Sequence, residues 1–364
     1  MDKFPTGIMD VVGHKVVFIC IVLSVTMLFF NNEAVAQHDT LYYVNYPKML
    51  TSRIYISRKY TSLNVSDKLE DTRFRFEPNS THNLGIGATY NDFTLNLAYG
   101  FGFMNRNDER GETKFLDLQA HMYPRKLVID LFAQIYNGYY LQKIDGENVS
   151  HEDIMLLPDL QVRKFGANFQ YLFNGDKVSL KAAFHQGARQ KKSAGSFLAG
   201  VEFYGGWATN EGMLIPAPIQ PNVNGRKEFQ NLGFFQMGPN VGYVHTFVFW
   251  KYFFITGMAS TNLAIGQSYL DYSGERMTNL GVSPNLLVRG FAGYNGLRWS
   301  VNANYVHNRV RMAQVNDFSN AIMTGNYRMN LVYRFDIGPK LRPILEYVNL
   351  ERYFPKGLKQ KKEN

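Results

Sequence analysis

The chain has 364 residues, 15% of them aromatic and only 19% charged, with a net charge of +9 and a mean hydropathy of −0.25. Many aromatics without overall greasiness suit a wall with one apolar and one polar face, because the two faces average out. The one cysteine, Cys20, lies in the leader described next, so the rest of the chain has no disulfide, no thiolate metal site and no cysteine nucleophile.

Residues 1–36 read as a signal peptide. Lys3, His14 and Lys15 precede the apolar run Val16 to Phe30, and Ala34-Val35-Ala36 supplies a small-x-small cleavage pattern. The run is shorter than the ~20 residues a membrane helix needs. Cys20 sits in mid-run, the wrong place for lipidation. Nucleic acid is the usual partner of a basic chain, but an exported one does not meet it. No nucleic-acid partner is expected; a basic lumen or anionic lipid heads account for the charge.

From Ile54 to Phe335 a two-residue period dominates. Leu84, Ile86, Ala88 and Tyr90 alternate with Gly85, Gly87 and Thr89, then Asn91-Asp92 offers a tight turn. On the return, Phe93, Leu95, Leu97 and Tyr99 alternate with Thr94, Asn96, Ala98 and Gly100. The pattern recurs at Leu116–Met122, Ile129–Ile135, Phe165–Tyr171 and, after Asn174-Gly175-Asp176, at Val178–His185. Asn295-Gly296 joins Leu286–Tyr294 to Leu297–Val310, and Asn-Gly is a strong hairpin marker. Tyr327, Met329, Leu331, Tyr333 and Phe335 then oppose Arg328, Asn330 and Arg334.

These strands exceed the ~5–6 residues typical of soluble sheets and match or exceed the ~9–11 that cross a bilayer. Short turns at 91–92, 124–126, 174–176, 250–251 and 295–296 alternate with longer polar connections such as Asn105–Glu112, Lys143–Leu157 and Asp271–Ser283. The expected fold is all-β: an antiparallel up-and-down transmembrane β-barrel of 12 to 14 strands in the outer membrane of a Gram-negative cell. Successive short turns should enclose two strands, yet three fit between 176 and 250 (177–190, 195–207 and 237–249). Gln230–Met237 as a further strand repairs the parity at fourteen; twelve follows if two weak strands merge or are loops. The organisation expected is signal peptide 1–36, N-terminal periplasmic segment 37–52, barrel 53–335 and basic tail 336–364, within which Ile344–Phe354 reads as one more strand or a short helix.

Several stretches resemble an uncharacterised outer-membrane β-barrel family, domain-of-unknown-function family 4421. They are Ala182-Ala183-Phe184-His185-Gln186 leading into Arg189–Ser196, Ile129-Asp130-Leu131 followed by Tyr136–Tyr140, Gly242-Tyr243, Gly325-Asn326-Tyr327 and Tyr333-Arg334-Phe335. The resemblance spans about residues 50 to 336. It implies the barrel and its location, and carries no activity and no functional residues.

Alternation points Asp117, Asp130, Lys164, Lys181 and Glu202 inward from neighbouring strands. Buried opposite charges must pair to offset desolvation, so these read as a bracing network or as a substrate site. Arg289, Arg298, Arg328 and Arg334 face inward on later strands with no acids among them. Rings of Arg line anion pores; the other reading is that they pair with acids on loops or the opposite wall. No nucleotide, metal or hydrolase motif occurs, no cofactor is expected, and the chain is not expected to be an enzyme. Ser193 or Ser196 with His185 is the one conceivable hydrolytic pairing, and no third member presents itself. The leading expectation is a passive pore for small anionic solutes, its partners being outer-membrane lipid, the barrel-insertion machinery and the solute. The alternative is a closed structural or partner-binding barrel acting through its extracellular loops; a lipid hydrolase stands third.

Overall fold

Strands form where small or polar residues alternate with apolar ones. In the computed structural model, residues 39–339 and 343 are described, apart from 47–48, 91–92, 102–103, 105–107, 124–125, 151–153, 217–227 and 273. The signal peptide 1–36, the turn 91–92 and Ile344–Phe354 lie outside the described residues. The first strands are β1 (Tyr43–Asn45), β2 (Met49–Asp67), β3 (Thr72–Glu77), β4 (His82–Tyr90), β5 (Phe93–Tyr99) and β6 (Lys114–Met122). There follow β7 (Leu127–Ile144), β8 (Glu147–Asn148), β9 (Leu156–Leu172), a five-residue helix α1 (Leu180–Phe184) and β10 (Ala188–Gln190). The last six are β11 (Ala194–Thr209), β12 (Phe229–Phe249), β13 (Phe253–Tyr272), β14 (Glu275–Asn295), β15 (Trp299–Arg311) and β16 (Phe318–Asp336).

The sheet closes on itself. β7, β9 and β11 to β16 pair antiparallel in sequence order, and β16 then pairs with β2 from Asp336 opposite Met49 to Phe318 opposite Asp67. The wall therefore begins at Met49, four residues before the expected boundary. The gap between β2 and β7 is filled differently at the two ends. Towards the long loops, β3 lies between Leu63–Asp67 of β2 and Tyr140–Ile144 of β7, and completes a ring of ten strands. Towards the short turns, β4 takes over β3's place along Thr51–Arg58 of β2. There β5 pairs with β4, and β6 with β7. Among the described residues β5 and β6 do not pair with each other, so both lie outside the closed ring.

The switch of partners along β7 is made across two residues, Gly138 and Tyr139. β6 accompanies β7 up to Asn137, and β3 takes over from Tyr140. Between them Gly138 adopts φ +89°, and the β7–β9 register breaks there. A bulge with a positive-φ glycine bends a strand locally. A Cβ at Gly138 would also collide with the carbonyl oxygen of Glu112.

β13 shows how the sequence sorts its faces. From Phe253 to Ile265 exposed and buried residues alternate without a break. Ile255, Leu263 and Ile265 point out, while Thr256, Ser260 and Asn262 point in. The exposed residues of the other long strands, Phe197, Val241, Val282 and Leu331 among them, continue this apolar belt around the wall. Aromatic pairs such as Trp299–Tyr333 and Tyr333–Phe335, each with ring centroids 4.6 Å apart, border it at the short-turn end.

Two departures from the expected strand count share one cause. Gln230–Met237 is not a separate strand but the first part of the 21-residue β12. Residues 177–190 are no wall strand at all; they hold α1 and β10 and lie inside the barrel. Two strands, β11 and β12, then separate the turns at 176 and 250, and the parity conflict disappears. The closed ring has ten strands rather than twelve to fourteen. Replacing Gly138 by alanine is expected to lower stability by about 1–3 kcal/mol, read as a shift in the urea midpoint of unfolding.

Candidate functional site

The interior of the ring is filled in three layers. At the short-turn end the chain leaves β9 at Leu172 and folds back into the lumen as a plug, residues 173–193. Ser179 caps α1, its Oγ accepting from the Ala182 N–H at 3.3 Å. Gln190 accepts the Ser179 N–H at 3.0 Å and donates to the carbonyls of Lys177 and Lys192, stitching both ends of the segment together. Leu180, Ala182, Ala183, Phe184, His185 and Gln186 are all buried. Phe184 packs against Phe291 and Tyr123, with ring centroids 4.0 and 4.8 Å apart.

Wall arginines grip the plug by its backbone. Arg334 donates to the carbonyls of Gln186 (2.8 Å) and Gly296 (2.7 Å) and to Asn295 Oδ1 (2.5 Å). Arg53 donates to the carbonyl of His185 (3.0 Å) and to Thr89. Asn295 completes the clasp with a donor to the carbonyl of Ala188 (3.0 Å). Its side chain thus holds the plug, and the following turn takes three residues, 296–298, instead of the two that Asn-Gly usually makes. Burial, with Arg53 close by, pushes the His185 imidazole well below its usual pKa and keeps it neutral. From the other side β1 pairs with β10, and Lys177 and Lys192 lie over the Tyr42 ring at 5.3 and 5.7 Å.

The middle layer is polar and bridges the lumen from wall to wall. Arg289 on β14 meets Asp130 on β7 at 2.5 Å, both essentially inaccessible to solvent. Five pairings along the wall, through β13, β12, β11 and β9, separate those two strands and put them on opposite sides of the lumen. Asp130 also binds His121 Nδ1 (2.7 Å) and Asn168 Nδ2 (3.0 Å). Asn168 accepts from Asn240 at 2.8 Å. A second bridge is again diametric: Lys164 on β9 donates to Asn308 Oδ1 on β15 (2.9 Å) and to Thr324 on β16 (2.8 Å). Asp117 pairs with Lys59 at 2.9 Å and accepts from Gln119, Gln134 and Tyr136. Glu202 is buried and faces inward on the neighbouring wall.

The long-loop layer is apolar. Leu63, Val65, Phe74, Phe76, Leu160, Val162, Phe229, Leu232 and Phe318 converge there, and Leu214 and Ile215 fold back from the loop after β11 to join them. The Phe229 and Phe318 rings, from β12 and β16, lie 5.0 Å apart. Among the described residues the interior is thus occupied at all three levels.

Of the residues singled out from sequence, Asp117, Asp130, Lys164, Glu202, Arg289, Arg328 and Arg334 face the interior, Arg328 lying over the Tyr55 ring at 4.3 Å. Two do not line the wall. Lys181 belongs to α1 in the plug, because its segment is a helix and not a strand. Arg298 sits in the turn before β15, half exposed, paired with Asp336. The serines proposed as nucleophiles are engaged elsewhere: Ser196 accepts from the Asn174 N–H (2.8 Å) and Ser193 from the Val248 N–H (2.9 Å), while His185 Nε2 lies 3.3 Å from the His121 carbonyl. Sequence reasoning missed Arg53, Lys59, Asn168, Asn240 and Asn308. All lie at inward positions of their strands, and their partners stand on other strands or on the plug, far away in sequence.

Removing one partner of a buried ion pair strands the other charge and costs about 3–5 kcal/mol, whereas replacing both is close to neutral. Arg289→Met is therefore expected to lower the urea midpoint sharply, and the double variant Arg289→Met/Asp130→Asn to recover most of the loss. Equal losses in the single and double variants would disprove the bridge.

The family described as Domain of unknown function (DUF4421) matches residues 37–335. No curated protein matches the sequence. Among solved structures, the outer membrane protease OmpT from Escherichia coli is 11% identical, with 83% of this chain and 100% of that one covered and a TM-score of 0.39. Neisserial surface protein A is 9% identical over 78% of this chain and 97% of its own, with a TM-score of 0.22. The Pseudomonas putida toluene transporter TodX is 8% identical over 80% and 91%, with a TM-score of 0.23.

Proposed function

We propose that this chain, which belongs to the DUF4421 family, is a sealed barrel of the outer membrane that works through its two ends and does not pass solute through its lumen. The apolar belt supports the bilayer setting, since only a closed barrel satisfies its backbone within hydrocarbon. Short turns belong in the periplasm and long loops outside, which puts the plug and β1 on the periplasmic side. The observation that carries the sealed reading is the pair of diametric bridges, Arg289–Asp130 and Lys164–Asn308, which cross the space a solute would use.

The anion-pore reading loses its ring. Arg289 and Arg334 are committed to Asp130 and to plug carbonyls, and Arg298 lies in the turn at the rim. A closed barrel of this kind acts as a scaffold that presents loops to one compartment and the plug surface to the other, without catalysis. In planar bilayers the purified full-length protein is expected to leave the membrane silent. A stable, ohmic, anion-selective conductance that changes when Arg289 or Arg334 is substituted would restore the pore.

A further inference from the structure

The outside of a barrel is convex, yet this one carries a groove of about 680 Å³ on its outer face, across β15, β16, β2, β4 and β5. The strand register explains it. One cross-strand row near the short-turn rim runs Trp299, Tyr333, Ser52, Ala88, Leu95. Its centre holds the two smallest side chains, and bulky ones stand on either flank. The next row inward, Leu331, Ile54, Ile86, Leu97, is apolar throughout. Ser52 turns its hydroxyl to the Tyr333 carbonyl at 3.2 Å, so the floor presents no free polar group there. One side of the groove is β5, whose far edge has no strand partner among the described residues.

We propose that this groove is a binding site for one glycerophospholipid of the periplasmic leaflet, its acyl chain lying over Ser52 and Ala88 between Trp299 and Leu95. The inference rests on the outer-membrane reading above. The groove is continuous with the apolar belt, so hydrocarbon is what fills it in a bilayer. A chain seated in a concavity buries far more surface than one lying against a convex wall, which separates a bound lipid from the surrounding ones. The short-turn rim places the headgroup. Trp299 and Tyr333 are interfacial residue types, and Arg298, immediately before Trp299 and bridged to Asp336, keeps guanidinium N–H groups beyond that bridge for the phosphate. The β5 edge, which has no strand partner among the described residues, favours a lipid with ester carbonyls over plain hydrocarbon, because hydrocarbon cannot satisfy backbone N–H groups.

The test compares the full chain, extracted from membranes in mild detergent, with two groove-filling variants, Ala88→Phe and Ile86→Trp, and with Ala292→Phe, an outward substitution on β14 away from the groove. Native mass spectrometry and phospholipid extraction are expected to find about one phospholipid retained per barrel in the parent and in Ala292→Phe. At least tenfold less should remain in the filled variants. Heat-dependent gel mobility confirms folding for each, and Ile86→Trp serves if Ala88→Phe does not fold. Absence of stoichiometric phospholipid in the parent, full retention in the filled variants, or equal loss from all three variants (annular lipid only) would overturn the site. A parent chain that stays monodisperse without detergent would instead overturn the membrane reading itself.

Discussion

An arginine and an aspartate that reach each other across the whole width of the interior set the terms for everything else in this barrel. Eight strands enclose a space that side chains just fill, and ten leave only a little more. Long side chains from opposed strands can then meet at the axis, as Arg289 and Asp130 do. Once they meet, the interior is built as a protein core is built, with the Arg289–Asp130 and Lys59–Asp117 pairs in its middle and the remaining space packed. The polar middle and the two apolar ends are that solution. Asp130, held also by His121 and Asn168, gives the arginine a fixed counter-charge. Phe74, Phe229 and Phe318 above, and Phe184 with Phe291 below, fill the space beyond the charged residues.

The wall is irregular on one side only. The ten-strand ring surrounds the apolar layer, while the half that holds the plug is bordered by β4, β5 and β6 in place of β3. At the level of the plug the wall takes on β5 and β6, and it sheds them at Gly138, where β3 takes their place beside β7. Extra strands and inserted plug thus occupy the same half of the molecule.

Much of this was legible in the sequence, and the parts that were not have identifiable reasons. The hairpin β4–β5 was readable residue by residue, since its two faces differ in both size and polarity. So was the long alternation of β16. The plug was misread as a strand because every residue from Leu180 to Phe184 except Lys181 is buried, so the segment has no solvent face to create a period. Five residues are also too few to separate a helical repeat from a two-residue one. Arg298 looked inward because Asn295-Gly296 suggested a two-residue turn; the actual turn is one residue longer and shifts everything before Trp299. Strand partners across the lumen, such as Lys164 with Asn308, leave no local trace, being 144 positions apart.

Arg334 belongs to the last strand of the wall, and the groups it holds belong to the plug and to the turn before β15. β16 is also the strand that zips to β2 and shuts the ring. The β16–β2 seam and the Arg334 grip on the plug therefore rest on the same 19-residue strand. A chain whose plug is misplaced takes the Gln186 carbonyl away from Arg334 and leaves it only the acceptors of Asn295, Gly296 and Leu297, so one buried N–H loses its partner, at a cost of about 1–3 kcal/mol. Closure of the wall and retention of its stopper are thereby tied to one strand.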